Sequence, residues 1–179
     1  MSKWKLNANH SVAEFAVRHM MVSWVVGLFN KVSGTLSFDP LNVAASSVEV
    51  EIDASVIYTG LEQRDEHLKS PDFLDVENYP TIIFKSERVE PAGLDHAWVH
   101  GNLTIRGITL PVLLDVHWAG PARFNDEGRI YISFGFRGKT KINREDFGMR
   151  FNTEMEHGGF MVGKHAYLTL NAEVDLVEE

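Results

Sequence analysis

Residues 96–117 read HAWVHGNLTIRGITLPVLLDVH and carry the clearest signal of the fold. Apolar and polar residues alternate on both sides of Arg106-Gly107, which is the pattern of two antiparallel strands joined by a tight turn. A turn centred on these two residues sets Ile105 opposite Ile108 and brings apolar residues together along the inner face. A slip of one residue would place apolar against polar side chains throughout, so the alternation predicts this register. The other predicted pairs are Leu103–Leu110, Gly101–Val112 and Val99–Leu114 on the inner face, and Thr104–Thr109 and His96–His117 on the outer face.

The same period of two recurs from one end of the chain to the other. It is clear in residues 47–53, 129–137 and 165–176, and weaker in residues 13–17, 32–38 and 82–84. Strands with one apolar and one polar face belong to antiparallel sheets. About eight such strands with one or two helical insertions predict an all-β fold, either a closed antiparallel barrel or a sandwich.

One stretch reads clearly as a helix. Thr59 through Glu62 fits a capping box, with Thr59 as the N-cap and Glu62 at the third helical position. The predicted helix starts at Gly60, continues through Leu68 to Lys69 and ends before Pro71. The apolar segment Met20–Phe29 is compatible with a helix or a strand, because its paired valines favour neither clearly.

Length and composition predict one soluble domain over residues 1–179, with 44% apolar and 23% charged residues. Seventeen Lys and Arg against 25 Asp and Glu give a formal charge of −8, and no basic stripe is visible. A nucleic-acid partner is therefore not expected. The chain has no cysteine, which excludes disulfides, thiolate metal sites and cysteine nucleophiles.

The N-terminal residues lack the apolar run of a secretory signal, so the expected location is the cytoplasm, or the periplasm if a leader was removed. The most apolar stretch, Met20–Phe29, is half the length that a membrane span requires. No membrane-spanning segment is predicted.

Patterns that suggest catalysis are weak. Residues 133–140 resemble a phosphate-binding loop only in their second half, and no helix follows. His10 and Ser11 are adjacent on an extended segment and point to opposite faces. Asp65 and His67 are two residues apart in the predicted helix and do not face each other. A serine–histidine–aspartate site assembled from distant segments stays open, but no catalytic residue and no cofactor is predicted.

The eight histidines raise the question of a metal site. The predicted register places His96 opposite His117 on the outer face, and two ligands are fewer than the three or four that zinc takes. No metal site is predicted.

The inward-facing residues are candidates for a ligand cavity. An eight-stranded barrel is wide enough either to be filled by its own side chains or to hold one ligand, and alternation alone does not separate the two. The candidate lining consists of Phe15, Val32, Leu36, Val50, Ile52, Phe84, Leu103, Leu114, Phe134, Phe136, Leu168 and Leu170. Because this lining carries no charge, a guest would be apolar and elongated.

Several blocks of residues recur in the order of a known family. They are Thr59-Gly60, Arg64-Asp65, His67-Leu68, Ser70-Pro71-Asp72-Phe73, Asp75, Tyr79-Pro80, Phe84, residues 101–107 (GNLTIRG), Pro111-Val112, residues 143–149 (NREDFGM), His10-Ser11, Phe15, Gly27, Phe29 and Val162-Gly163. Over nearly the whole chain they resemble the YceI-like family. The resemblance implies an eight-stranded antiparallel lipocalin-like barrel with a long apolar tunnel. It also implies binding of polyisoprenoids or related lipids such as isoprenoid quinones, with no catalytic residues.

The leading hypothesis is therefore a lipid-binding protein that carries, stores or sequesters a long isoprenoid chain. His10, Arg106 and Arg144 are candidate contacts for a polar head group. The alternative is a hydrolase or isomerase that acts on an apolar substrate in the same cavity, and a third possibility is a filled barrel that acts through its surface. A homodimer is plausible because strand edges are exposed.

Overall fold

The alternating segments fold into antiparallel strands in the computed structural model, which describes residues 2–178 and the side chains of residues 2–176. In chain order the strands are β1 (Ser2–Leu6), β2 (Val12–His19), β3 (Ser23–Phe29), β4 (Val32–Phe38), β5 (Ser47–Asp53), β6 (Thr81–Pro91), β7 (His96–Ile105), β8 (Ile108–Asp126), β9 (Arg129–Asn143) and β10 (Val162–Glu178). Helix α1 spans Glu62–Lys69, and 3₁₀ turns occupy Ala8–His10, Val43–Ala45, Ala54–Val56 and Arg144–Phe147.

Eight of the strands close into an antiparallel barrel in the order β1-β4-β5-β6-β7-β8-β9-β10, with β10 returning to β1. Strand β10 is long enough to pair with two partners on that side. Its C-terminal part pairs with β1 and its N-terminal part with β2, which in turn pairs with β3. The predicted antiparallel barrel is confirmed.

The register predicted for the β7–β8 hairpin is confirmed at every pair, from Ile105–Ile108 at the turn to His96–His117 at the far end. The segment Met20–Phe29 contributes a strand rather than a helix, since β3 pairs with β2 along its whole length. Pairing with β2 thus determines the structure of a segment whose local pattern does not distinguish a helix from a strand.

The predicted capping box is wrong in its details. Helix α1 begins at Glu62, its N-cap is Leu61, and no side chain caps it. Thr59 is instead bound by the buried carboxylate of Asp65, whose Oδ1 accepts a 2.8 Å hydrogen bond from the Thr59 backbone N–H. The end of the helix at Lys69 agrees with the prediction. No helix in residues 2–178 is long and apolar enough to cross a bilayer.

One end of the barrel is filled by an aromatic plug, which consists of Trp4, Phe38, Trp118, Phe134 and Phe136. Phe38 lies at its centre, with edge-to-face contacts to Phe134, Phe136 and Trp118 at ring-centroid distances of 5.2, 5.1 and 5.6 Å. Trp4 Nε1 donates a 3.0 Å hydrogen bond to the Phe38 carbonyl, so its polar atom is satisfied in the interior. The plug closes this end of the barrel.

Candidate functional site

Above the plug the barrel is hollow. It encloses a larger cavity of about 410 Å³ and a smaller one of about 90 Å³ next to the plug. The larger volume falls within the range of roughly 300–1,000 Å³ that is usual for small-molecule sites. Five residues line both cavities and form a belt where the two meet. The belt consists of Val50, Phe84, Leu114, Gly138 and Leu170.

Ten of the twelve predicted lining residues border a cavity. Phe15, Ile52, Leu103 and Leu168 line the larger cavity, Leu36 and Phe136 line the smaller one, and Val50, Phe84, Leu114 and Leu170 belong to the belt. The inner face of each strand therefore supplies the wall, as alternation indicates.

Val32 and Phe134 border neither of these two cavities. Val32 is 1% exposed and packed within the core at the start of β4. Phe134 is part of the plug, where its ring lies 5.2 Å from both Trp4 and Phe38. Alternation gives the direction of a side chain but not whether its neighbours leave a void beside it.

The larger cavity is partly open to solvent, and its lining includes exposed Arg18 and residues of helix α1 but none of the five plug residues, so the opening lies at the end away from the plug. We call this end the mouth. Helix α1 contributes Arg64, His67 and Leu68 to its wall, and further residues come from β2 and from the segments around Phe73 and Phe151. Most of these residues lie outside alternating strands, so the periodicity carried no signal for them. Arg64 and the His67-Leu68 pair were marked only by the family resemblance.

Helix α1 is held at the mouth by a small polar network. Arg64 Nε donates a 2.7 Å hydrogen bond to Thr59 Oγ1, and Arg64 Nη2 donates a 2.8 Å bond to the Thr59 carbonyl. Thr59 is bound in turn by Asp65, as described above. The helix therefore lies over the mouth in a fixed position, with Leu68 packed against the core.

His67 combines apolar and polar contacts at the mouth. Its ring packs edge-on against Phe73 and Phe151 at centroid distances of 5.0 and 4.7 Å, while Nε2 lies 2.9 Å from Asp72 Oδ2. An imidazole bound by a carboxylate beside aromatic rings places a polar group at the end of an apolar wall.

Arg144 is the most deeply buried charged residue of the cavity wall, with 3% of its surface exposed. It donates hydrogen bonds to the carbonyls of Gly163, Met149 and Val162 at 2.7, 2.6 and 3.3 Å. Burial lowers the pKa of the Arg144 guanidinium from its usual value, and the neighbouring Glu145 carboxylate opposes that shift. These three bonds use three of the five N–H groups of a guanidinium, so Arg144 both supports the backbone and retains donor capacity.

The other two predicted head-group contacts lie elsewhere among the described residues. His10 Nδ1 lies 3.1 Å from Glu173 Oε1 at the surface. Arg106 Nη1 donates to the Gly148 carbonyl and supports the turn that follows β9. Neither residue is part of the cavity wall. His10 was marked by the family resemblance and Arg106 by its place beside a turn, and turns occur at both ends of a barrel.

The groups that the enzyme hypothesis requires do not converge. In residues 2–178, His10 is bound to Glu173, His67 to Asp72, and Asp65 to Thr59. No two of His10, Asp65 and His67 form a hydrogen bond with each other in this part of the chain. The geometry therefore offers no assembled acid–base pair built from these residues.

A closed eight-stranded antiparallel barrel with an apolar cavity open at one end defines the lipocalin-like class of ligand-binding barrels. Comparison with known sequences is more specific. A family model described as a YceI-like domain matches residues 4–174. A UPF0312 protein of Vibrio cholerae is 32% identical over 170 residues, which cover 95% of this chain and 83% of that relative. The chain belongs to the YceI-like family.

Solved structures agree with this assignment. Burkholderia cenocepacia BcnA superposes with a TM-score of 0.79 at 24% identity. The superposition covers 94% of this chain and 98% of the BcnA chain. A polyisoprenoid-binding domain from Saccharophagus degradans superposes with a TM-score of 0.67 at 13% identity. The superposition covers 96% of this chain and 97% of that domain. At these identities the structures show the shared fold. Family and cavity together support binding of an apolar lipid.

Proposed function

We propose that this protein binds a long isoprenoid-type lipid, either a polyisoprenoid or an isoprenoid quinone, and carries, stores or sequesters it. The observation that carries the proposal is the shape of the interior. An apolar cavity runs from the mouth to the belt, and a second one continues from the belt to the plug. Such an interior suits a narrow chain better than a compact ligand.

The lining accounts for both affinity and orientation. Each methylene that moves from water into the apolar wall contributes about 0.8 kcal/mol, so burial of even part of a long chain gives tight binding. Arg64, His67 and Arg144 lie at the mouth side of the larger cavity. The guanidinium charges of the two arginines and the N–H groups of all three residues suit a phosphate or quinone head, so the chain would enter tail first. The Saccharophagus domain, named for polyisoprenoid binding, supports this assignment through its shared fold.

The first experiment is organic extraction of the purified protein followed by mass spectrometry, with the intact native mass measured in parallel. We expect about one isoprenoid chain per protein molecule, or uptake of one chain when solanesol or a ubiquinone is added in detergent. A protein whose native mass equals that of the polypeptide, and which takes up neither compound, would contradict the proposal.

A glycine in the belt allows a sharper test. A β-carbon on Gly138 would lie 3.6 Å from Val116 Cγ2 and 3.9 Å from Leu114 Cδ1, both ordinary van der Waals contacts. Gly138→Leu therefore introduces a branched side chain at the belt with little backbone strain. We expect the variant to keep the larger cavity, lose access to the smaller one and select shorter chains from a mixture of prenyl alcohols.

Gly135→Leu is the matched control. Gly135 lies on the same strand, is exposed, and a β-carbon there would contact nothing within 4 Å. It should retain the chain-length preference of the unmodified protein. The same preference in the Gly138→Leu variant, with an unchanged circular dichroism spectrum, would show that the chain does not pass the belt.

A further inference from the structure

The outer face of the β7–β8 hairpin carries a cluster that the lipid cavity does not use. The register that sets apolar residues together inside the barrel also sets His96 of β7 opposite His117 of β8 outside it. Asp115 lies two residues before His117 and therefore on the same face. We call His96, Asp115 and His117 the His–Asp–His cluster.

The three side chains are close enough to share one small ligand. Asp115 Oδ1 lies 2.8 Å from His96 Nε2 and 3.4 Å from His117 Nε2. The two imidazole rings are stacked, with centroids 4.3 Å apart and planes inclined by only 3°. One candidate ligand atom from each residue lies within 4.8 Å of the other two.

We propose that the His–Asp–His cluster binds a divalent transition-metal ion of the zinc, nickel or copper class. Two imidazole nitrogens and one carboxylate oxygen are the donors that these ions prefer, and solvent supplies the fourth position. Donors about 2.1 Å from a tetrahedral ion lie roughly 3.4 Å from one another. Both Nε2 atoms lie within 3.4 Å of one Asp115 oxygen, so metal binding requires the two stacked rings to turn until their nitrogens face a common point.

Metal binding must displace the protons on the imidazole nitrogens that face Asp115. Without metal, a proton between His96 Nε2 and Asp115 Oδ1 holds their 2.8 Å hydrogen bond, and His117 Nε2, 3.4 Å from the same oxygen, forms an ion pair with it when it carries a proton. With metal, the ion takes the place of these protons: a neutral imidazole shifts its proton to Nδ1, and an imidazolium releases one proton to solvent. The carboxylate then serves as a ligand instead of a hydrogen-bond acceptor.

Neighbouring charges favour a nitrogen-seeking ion over a hard one. Arg137 and Lys139 of β9 lie opposite His117 and Asp115 in the β8–β9 register. Their positive charge disfavours an ion held mainly by electrostatic attraction, such as Mg²⁺ or Ca²⁺, which also prefer a shell made of oxygen. Zinc, nickel and copper ions gain most of their binding free energy at such a site from the two imidazole nitrogens.

The cluster is separate from the lipid site. Residues of β8 that alternate with it, Leu114 and Val116, point inward and line the cavities, while the cluster faces solvent. His96 is the most buried member, with 21% of its side chain exposed, and His117 is 56% exposed. Metal binding therefore does not depend on the proposed lipid function.

The test is calorimetric titration of tag-free protein with ZnCl₂ and NiCl₂, and with MgCl₂ as the hard-cation comparison. We expect one equivalent of Zn²⁺ or Ni²⁺ and no detectable heat with Mg²⁺. Loss of even an outer-shell partner of a metal site commonly costs 10–100-fold in affinity, so His96→Ala, His117→Ala and Asp115→Asn should each weaken binding by about tenfold or more.

His100→Ala is the matched control, because His100 lies on the outer face of the same strand but is bound to Glu90 and Arg88. It should leave the affinity unchanged, and far-UV circular dichroism checks the fold of every variant. No binding by the unmodified protein would overturn the proposal. So would an affinity that survives both histidine substitutions, or one that falls equally in the His100→Ala variant.

Discussion

The two ends of this barrel are built from the same alternating strands and differ in what fills them. Near the mouth, the inward side chains are mainly aliphatic, and a cavity of about 410 Å³ remains between them. At the other end, Trp4, Phe38 and Phe134 are each at most 5% exposed and pack edge to face with little space left. Alternation therefore determines which residues form the wall of the barrel, whereas side-chain volume decides whether that wall encloses a void.

The two halves also differ in what stabilises them. The plug rests on aromatic contacts that need no polar partner apart from the Trp4 hydrogen bond. The mouth gains fewer apolar contacts because its centre is empty, and it relies on buried polar groups such as Arg144 and Asp65 that bind backbone or side-chain partners. Substitutions in the two halves should therefore lower stability for different reasons.

The largest expected effect comes from the centre of the plug. Phe38→Ala removes a ring that contacts Phe134, Phe136 and Trp118, and the surrounding rings cannot collapse fully into the space. We expect the free energy of unfolding to fall by about 3–5 kcal/mol in urea titrations.

Phe15→Ala is the comparison in the hollow half. The Phe15 ring borders the larger cavity and contacts Phe29 at a centroid distance of 5.8 Å, so part of its surface already has no packing partner. The lipid-free protein should lose only about 1–3 kcal/mol, because fewer dispersion contacts are lost. Equal losses for Phe38→Ala and Phe15→Ala would show that the two halves are packed alike.

The sequence predicts the wall better than the space inside it. The hairpin register follows from alternation and the turn at Arg106-Gly107, because a slip of one residue would bury polar side chains, and it is correct at Ile105–Ile108 and at His96–His117. Phe134 and Phe136 follow one another on the inner face of β9, yet only Phe136 borders a cavity. That outcome depends on Trp4 and Phe38, which come from distant strands, so no local pattern reports it.

The mouth was the hardest part to predict. Its polar residues lie on a helix and on irregular segments without periodicity, and Thr59 shows how local motifs mislead there. The sequence around Thr59 suggests that this residue caps the helix. In the structure the Asp65 carboxylate accepts a hydrogen bond from the Thr59 backbone N–H and so fixes the loop before the helix. The sequence contains no metal motif and no tight cluster of His, Asp and Glu, although strand parity places Asp115 on the same face as His117.

Arg144 tests how much the mouth depends on buried polar groups. Arg144→Met preserves much of the side-chain volume but leaves the carbonyls of Met149, Val162 and Gly163 without their guanidinium donor. We expect a loss of about 2–4 kcal/mol in the free energy of unfolding, measured in urea.

Arg144→Lys should recover only part of this loss, since a single ammonium does not reproduce the planar fork of donors. Because these carbonyls flank the segment that precedes β10, limited proteolysis should also cut that segment faster in the Arg144→Met variant. Full stability in Arg144→Met would show that water replaces the guanidinium, and that the mouth needs no buried polar support.

The smallest effect is expected at the end of β5, where polar contacts are shallow. Asp53 accepts a 3.0 Å hydrogen bond from the Ser55 backbone N–H and pairs with Lys31 at 3.1 Å, and it precedes the 3₁₀ turn that leads to cavity residue Ile57. The Ser55 hydroxyl above all, and also Lys31, lower the pKa of Asp53 below its ordinary 3.8, against an opposing effect of burial.

At pH 7 we expect Asp53→Asn to lower the free energy of unfolding by about 0.5–1 kcal/mol. Because the folded pKa is depressed, this contribution is present above the ordinary pKa of 3.8, which the unfolded chain keeps, and is lost as pH falls through the folded value. Urea titrations at pH 7 and at about pH 3 should therefore show the difference between Asp53→Asn and the unmodified protein shrinking in acid. A difference of equal size at both pH values would assign the effect to altered packing of the 3₁₀ turn, and so to the same cause that dominates in the plug.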